Sequence, residues 1–247
     1  MRARAGGSDV ADGLFTQHLD VVVQDISFGA REDLDYALHL LSAARDGAVA
    51  PTVRIYRPQP TAAFGQRDVR LPGYAAARDR CRDAGYAPLV RRSGGRAALY
   101  DRGAVVIDHV EPHGDAIVGS QQRYQDFSGV IAAALGHAGV TTGIGELPGE
   151  YCAGEHSVFG TDGLHRAKLV GIAQRVVAGA WLISAVVSIE DTASLRTLIT
   201  DVYRDLELDL DPGTIGAATD FVPALTPDAF LEHLVWAYGQ RTDLTVR

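Results

Sequence analysis

Two side chains able to do covalent chemistry share one stretch: Gly149-Glu-Tyr-Cys152-Ala-Gly-Glu-His-Ser157, followed by Arg166-Ala-Lys168-Leu-Val-Gly171-Ile-Ala-Gln174-Arg175. A cysteine thiolate can attack an acyl carbon and hold it as a thioester, and nearby positive charge favours the thiolate. Pro148-Gly149 before Cys152 and Gly154 after it predict a loop that a ligand can approach. Lys168 is the only lysine of the chain; the rest of the 23 basic residues are arginines. Its amine is a compact, tunable point charge that arginine does not replace. It could sit beside the thiol or hold a substrate carbonyl. Plainer readings stay open: a structural Cys152, and a solvated Lys168 at a strand edge. The second cysteine, Cys81, shares one side of a helical segment with Ala77 and reads as a small buried apolar residue.

A second stretch, Arg91-Arg92-Ser93-Gly94-Gly95-Arg96-Ala97, combines glycines that permit close backbone approach with arginines that can contact phosphate or carboxylate. It has neither the Walker A spacing nor the dinucleotide fingerprint, and a tight turn between strands explains it equally well. Arg67 and Arg175 are further anion contacts or solvated charges. His156 and His165 lie close in sequence to Cys152 and could transfer a proton, with a surface or supporting position as the plainer reading of each. His109 and His113 bracket Glu111-Pro112, which breaks the helical face a metal pair would need. No metal is expected.

The elements that must hold these groups follow from periodicity. Residues 165–177 and 181–189 read as two strands joined near 178–179, which places Lys168 on rigid backbone. Upstream, strands are expected at 18–26, 52–56, 61–64 and 88–91, with two short ones after the glycine loop and another at 140–144. Helices are expected at 33–44, 74–84, 121–137 and 192–206, and a last one opens at Thr226-Pro227-Asp228. Tyr124, Phe127, Ile131 and Leu135 repeat at helical spacing and read as a core stripe. Asp162-Gly163 reads as a hairpin turn. Residues 1–13 are expected to be a flexible N-terminus, and residues 14–247 a single domain, because the amphipathic helices need an adjacent apolar sheet.

The net charge of -8 and pI near 5.4 disfavour broad nucleic-acid binding. No apolar run approaches the roughly 20 residues that span a bilayer, and no secretory region follows the N-terminal arginines. The expectation is a cytoplasmic protein with neither nucleic acid nor membrane as partner. Two cysteines give neither a disulfide framework nor a zinc cluster.

Arg91-Arg-Ser-Gly-Gly-Arg-Ala-Ala-Leu-Tyr-Asp101, in order with Lys168-Leu-Val-Gly-Ile-Ala-Gln-Arg175, resembles the catalytic domain shared by biotin ligases, lipoate ligases and octanoyltransferases, over approximately residues 30 to 205. The resemblance implies an α/β (α+β) fold, a mixed and largely antiparallel sheet flanked by helices, with an acyl tunnel beside the glycine-rich loop. Cys152, Ser157 and Lys168 look like the cysteine-containing octanoyltransferase pattern, as does Gly94-Gly95-Arg96. The roles so implied are Cys152 as acyl acceptor and Lys168 as carbonyl-orienting residue. Arg91, Arg92, Ser93, Gly94, Gly95, Arg96, Gly171, Ala173 and Gln174 would bind substrate. The implied reaction moves octanoate from octanoyl-acyl carrier protein to Cys152, then to a lysine of a lipoyl domain or glycine-cleavage carrier protein, without a cofactor. His156 and Asp108-His109 depart from the pattern. Two alternatives remain: an ATP- and magnesium-dependent lipoate ligase, in which Arg92, Lys168 and the Gly94-Gly95 loop hold an acyl-adenylate, and a noncatalytic module that binds acyl groups or lipoyl domains.

Overall fold

The computed structural model describes residues 15–190 and 193–247. The expected flexible segment 1–13, and position 192 at the start of one expected helix, lie outside them. An eight-stranded mixed sheet forms the centre, in the order β11-β1-β2-β6-β10-β9-β8-β7. Its strands are β1 (His18–Gln24), β2 (Thr52–Tyr56), β6 (Ala104–Pro112), β7 (Thr142–Ile144), β8 (Val158–Thr161), β9 (Arg166–Val177), β10 (Ala180–Ser188) and β11 (Asp243–Val246). Only the β1–β11 and β1–β2 pairs are parallel. A smaller sheet, β4-β3-β5, is built from β3 (Thr61–Phe64), β4 (Ala87–Val90) and β5 (Ala98–Tyr100).

Both faces of the central strands are covered, so β6 is buried along nearly its whole length, Asp108, His109 and Glu111 included, and β10 reads as a mostly apolar run rather than a clean alternation. On one face Trp181, Ile183 and Ala185 pack against Phe127 and Ile131 of α3 (Ser120–His137) and Phe230 and Leu234 of α5 (Pro227–Gly239). Pro227 occupies the first turn of α5 after Thr226, whose side chain accepts from the Ala229 amide. The opposite face is roofed by α1 (Ala30–Arg45) and the small sheet, with Ala37, Leu41 and Ala44 over Val110 and Leu182. Behind the small sheet, α2 (Tyr74–Asp83) and α4 (Ala193–Asp205) close a separate cluster holding Phe64, Cys81, Leu99, Ile199 and Tyr203.

Two strands escape the sequence reading. β11 is four residues with no length over which to alternate. β8 contains Gly160, a residue that normally weakens a strand; here a Cβ would meet the Phe221 ring at 2.4 Å, so only glycine lets the two pack. The register also buries a polar row that composition does not announce. Arg54, Asp108 and Ser184 are cross-strand partners on the α1 face. Arg54 reaches Asp33 of α1, Asp108 at 3.2 Å and Gln24 at 2.8 Å, and its guanidinium lies 3.9 Å over the Tyr56 ring.

Candidate active site

Residues 145–157 connect β7 to β8, and their second part, 149–157, arches over Lys168 of β9. Glu150, 4% exposed, organises the arch from within: its carboxylate accepts from Leu147 N, Gly154 N and Ser157 Oγ, the last at 2.6 Å. Lys168 on β9 lies beneath, fully buried. Its Nζ donates to Glu150 Oε1, Tyr151 O and Cys152 O, each at 2.9 Å. An ammonium has three protons to donate, and all three go to the arch. Neither the solvated strand-edge lysine nor an amine directed into a cavity describes this geometry.

Cys152 tops the arch with a φ of 43°, a left-handed conformation uncommon outside glycine. Its own amide donates to the Tyr203 hydroxyl at 2.7 Å, and that hydroxyl donates to Ala97 O at 2.9 Å, so one side chain of α4 ties the cysteine loop to the glycine loop. Two N–H donors face the sulfur, Arg91 Nη2 at 3.2 Å and the Arg96 amide at 3.3 Å. Gly95 (φ 103°) makes that approach possible, since a Cβ there would sit 2.8 Å from Cys152 Sγ and 2.2 Å from Arg91 Nη2.

The thiol stands between two cavities. One, about 250 Å³, runs between the central sheet and the α1 roof; Leu34, Ala63, Leu89, Val106 and Val186 line it, and Gly171, Ala173, Ser93, Arg92 and Arg175 reach it. The other, about 300 Å³, lies on the far side of Cys152 and is polar, bounded by Arg67, Gly94, Gly95, Tyr124, Glu155 and His156. Tyr124, which the helical spacing assigns to the core, is half-buried against it and also stacks on His156 at 5.1 Å in this second cavity, and burial raises its hydroxyl above the usual phenol range. His156 Nε2 is covered and has no partner among the described residues, which leaves Nδ1 as the open nitrogen. His165 lies instead in the exposed β8–β9 turn, which Asp162 closes by accepting from the Leu164 and His165 amides.

The glycine-loop residues thus converge on Cys152. Arg92 supplies a backbone carbonyl to Arg175 Nη1 at 2.9 Å, and Arg96 also pairs with the buried Asp68 at 3.1 Å. Gln174 is placed apart. It projects to the α3 face, where it accepts from Arg123 Nε and donates to Ser120 O, and it lines neither cavity. Cys81 is buried behind the small sheet, and burial pushes its thiol up to about 12.

The family model described as lipoyl protein ligase A/B catalytic domain matches residues 30–205. An octanoyl-[GcvH]:protein N-octanoyltransferase of Geobacillus kaustophilus is 27% identical over 201 residues, 81% of this chain and 68% of that protein. Further octanoyltransferases carrying the same description are matched over 55% to 73% of their lengths. Among solved structures, lipoate-protein ligase A bound with ATP superposes with a TM-score of 0.69 at 18% identity, covering 92% of this chain and 87% of that one. A bipartite lipoate protein ligase of Thermoplasma acidophilum gives 0.68 at 16% identity, covering 94% and 86%. At these identities the structural likeness is one of fold.

Proposed function

The chain belongs to the lipoyl protein ligase A/B catalytic-domain family, and from that premise we propose that it moves an octanoyl group between carrier-protein groups through a thioester on Cys152. One observation carries this reading: the sulfur lies between an acyl-sized apolar cavity and a polar one, with two N–H donors aimed at it. An apolar cavity of about 150 Å³ takes a benzene ring, so 250 Å³ has room for a longer saturated chain. In the first step Cys152 sulfur bonds to the acyl carbon as the donor's bond to it breaks and the leaving group takes a proton. In the second, a lysine amine of a lipoyl domain attacks, the C–S bond breaks, and the amide forms as the amine loses its proton. The relatives' described activity draws octanoate from GcvH, which makes octanoyl-GcvH the first donor to try and octanoyl-acyl carrier protein the second. Octanoyl-acyl carrier protein starts as a thioester and octanoyl-GcvH as an amide, so passing the acyl group to a lysine is downhill from the first and near even from the second, and neither calls for nucleotide.

In this reading Lys168 is a positioning residue. It holds the carbonyl of Cys152 itself, and so fixes the loop that carries the nucleophile. The amine arrives through the polar cavity, where His156 Nδ1 accepts its proton. His156→Gln should then slow aminolysis of the acyl-enzyme by ~10²-fold while leaving acylation of Cys152 close to that of the unsubstituted protein. An aminolysis rate like that of the unsubstituted protein would remove that role.

A second reading, ATP-dependent ligation, is favoured by Arg67 and the paired glycines in the polar cavity, groups that suit a phosphate. The deciding experiment supplies octanoyl-GcvH or octanoyl-acyl carrier protein without nucleotide, and octanoate with ATP and magnesium, each with a lipoyl-domain acceptor. Intact mass should show an octanoyl adduct formed without nucleotide and lost in Cys152→Ala. Turnover of Cys152→Ala that depends on ATP would favour the ligase, and acyl binding without any turnover would favour a binding module.

A further inference from the structure

The cavity that receives the acyl chain is not hydrocarbon throughout. Its floor follows the sheet register in two rows, Gly171–Val186–Val106–Tyr56 and Ala173–Ser184–Asp108–Arg54. The β9 end of both rows lies by Cys152. Three strand spacings separate β9 from β2, about 14 Å. An extended chain advances roughly 1.3 Å per carbon on C–C bonds of about 1.5 Å, so the end of an eight-carbon acyl group lies about 9–10 Å from the thioester, over β6.

Polar groups wait there. The Asp108 carboxyl accepts from Ser184 Oγ at 2.6 Å and from Arg54 at 3.2 Å; Asp108 and Ser184 line the cavity, and Arg54 lies behind them. Tyr56 and Tyr100 line it too, 3% and 5% exposed and clustered with Ala104 and Val106. Neither tyrosine hydroxyl hydrogen-bonds a described residue, and neither is among the fully covered unpaired side-chain atoms, so both are left facing the cavity that the two residues line; a tyrosine O–H shut off from water usually finds a partner. A methyl end would leave both unpaired, whereas a hydroxyl can donate to one and accept from the other. The Asp108 carboxyl is already engaged by Ser184 and Arg54, so the row does not present a bare anion; burial raises that carboxyl, with Arg54 pulling the other way.

We propose that the acyl group this cavity selects carries a hydroxyl at or near its eighth carbon, held by Tyr56 and Tyr100 above the Asp108–Ser184 row. The proposal rests on the reading that Cys152 accepts the acyl group. Its test loads the protein from N-acetylcysteamine thioesters of octanoate and 8-hydroxyoctanoate. In each transfer the Cys152 S–C bond forms as the donor S–C bond breaks and the small thiol departs with the proton. A pocket built to hydrogen-bond a substrate hydroxyl discriminates strongly against the analogue that lacks it, so kcat/KM of loading should favour 8-hydroxyoctanoyl by about tenfold or more. Tyr56→Phe with Tyr100→Phe should bring the two donors within about twofold, chiefly by improving octanoyl. Equal or better loading of octanoyl by the unsubstituted protein, or an undiminished preference in the double variant, would overturn the proposal. If neither donor loads Cys152, the thioester reading is what fails, and calorimetry with the two free acids still decides the cavity: tighter 8-hydroxyoctanoate supports the hydroxyl site, and equal or tighter octanoate rejects it.

Discussion

The two thiols differ because their surroundings do. With its thiol near 12, Cys81 has a thiolate fraction on the order of 10⁻⁴ at pH 8, while Cys152 stands open to two cavities. Iodoacetamide at pH 8 should therefore label Cys152 alone in the folded protein and Cys81 only after denaturation; prompt double labelling would contradict the burial of Cys81. Lys168 makes a different prediction. A lysine free in a cavity could be truncated with little effect on unfolding, but removing this one leaves the buried Glu150 carboxylate with its hydrogen bonds and without its only counter-charge among the described residues. Lys168→Ala should cost about 3–5 kcal/mol, a Tm fall of roughly 6–20 °C by calorimetry, with Lys168→Met/Glu150→Gln recovering part of it. The loop setting of Cys152 and the burial of Cys81 were legible from flanking glycines and helical spacing. Glu150 was not, because a carboxylate two residues before a cysteine gives no pattern until the loop closes. Tyr124 does pack against the core as its spacing says, but its place in the polar cavity was not legible, because periodicity reports the side of a helix and not what ends beside it.

Elements fix the site by tethering one loop to another. Tyr203 of α4 is the tether between the cysteine and glycine loops, taking a proton from one backbone and giving one to the other. Tyr203→Phe leaves two backbone groups without that partner and should lower stability by about 1–3 kcal/mol. Its kcat should fall further than its affinity for the acyl donor, since the nucleophile is displaced while the acyl cavity is untouched. An equal loss in both would mean that the tether serves binding. The helices and long strands were legible within a few residues; α1 begins at Ala30, earlier than expected, because Gly29 (φ 124°) ends the preceding segment. What the sequence could not give is pairing. Nothing in Arg54, Asp108 and Ser184 taken singly says that three strands bring them into one buried row; that is a property of register.

At the scale of the whole molecule, α3 and α5 seal one face of the central sheet, and the acyl cavity occupies the other, under α1. A chain bound there replaces cavity surface with packed atoms, so the acyl-enzyme should unfold several degrees above the free protein. By the usual value of about 0.8 kcal/mol per buried CH₂, even three buried methylenes exceed 2 kcal/mol. An unchanged melting temperature after stoichiometric acylation would place the chain outside the cavity. The burial of Lys168 also bears on self-modification. Because it is the only lysine, the protein exposes no lysine amine at all, and its surface cations are guanidiniums, which stay protonated and do not attack carbonyls. In the proposed transfer to a lysine, a protein with such a surface has no exposed side-chain amine of its own to squander the activated group on. Any ε-amine acylation found in a reaction mixture then belongs to its partner.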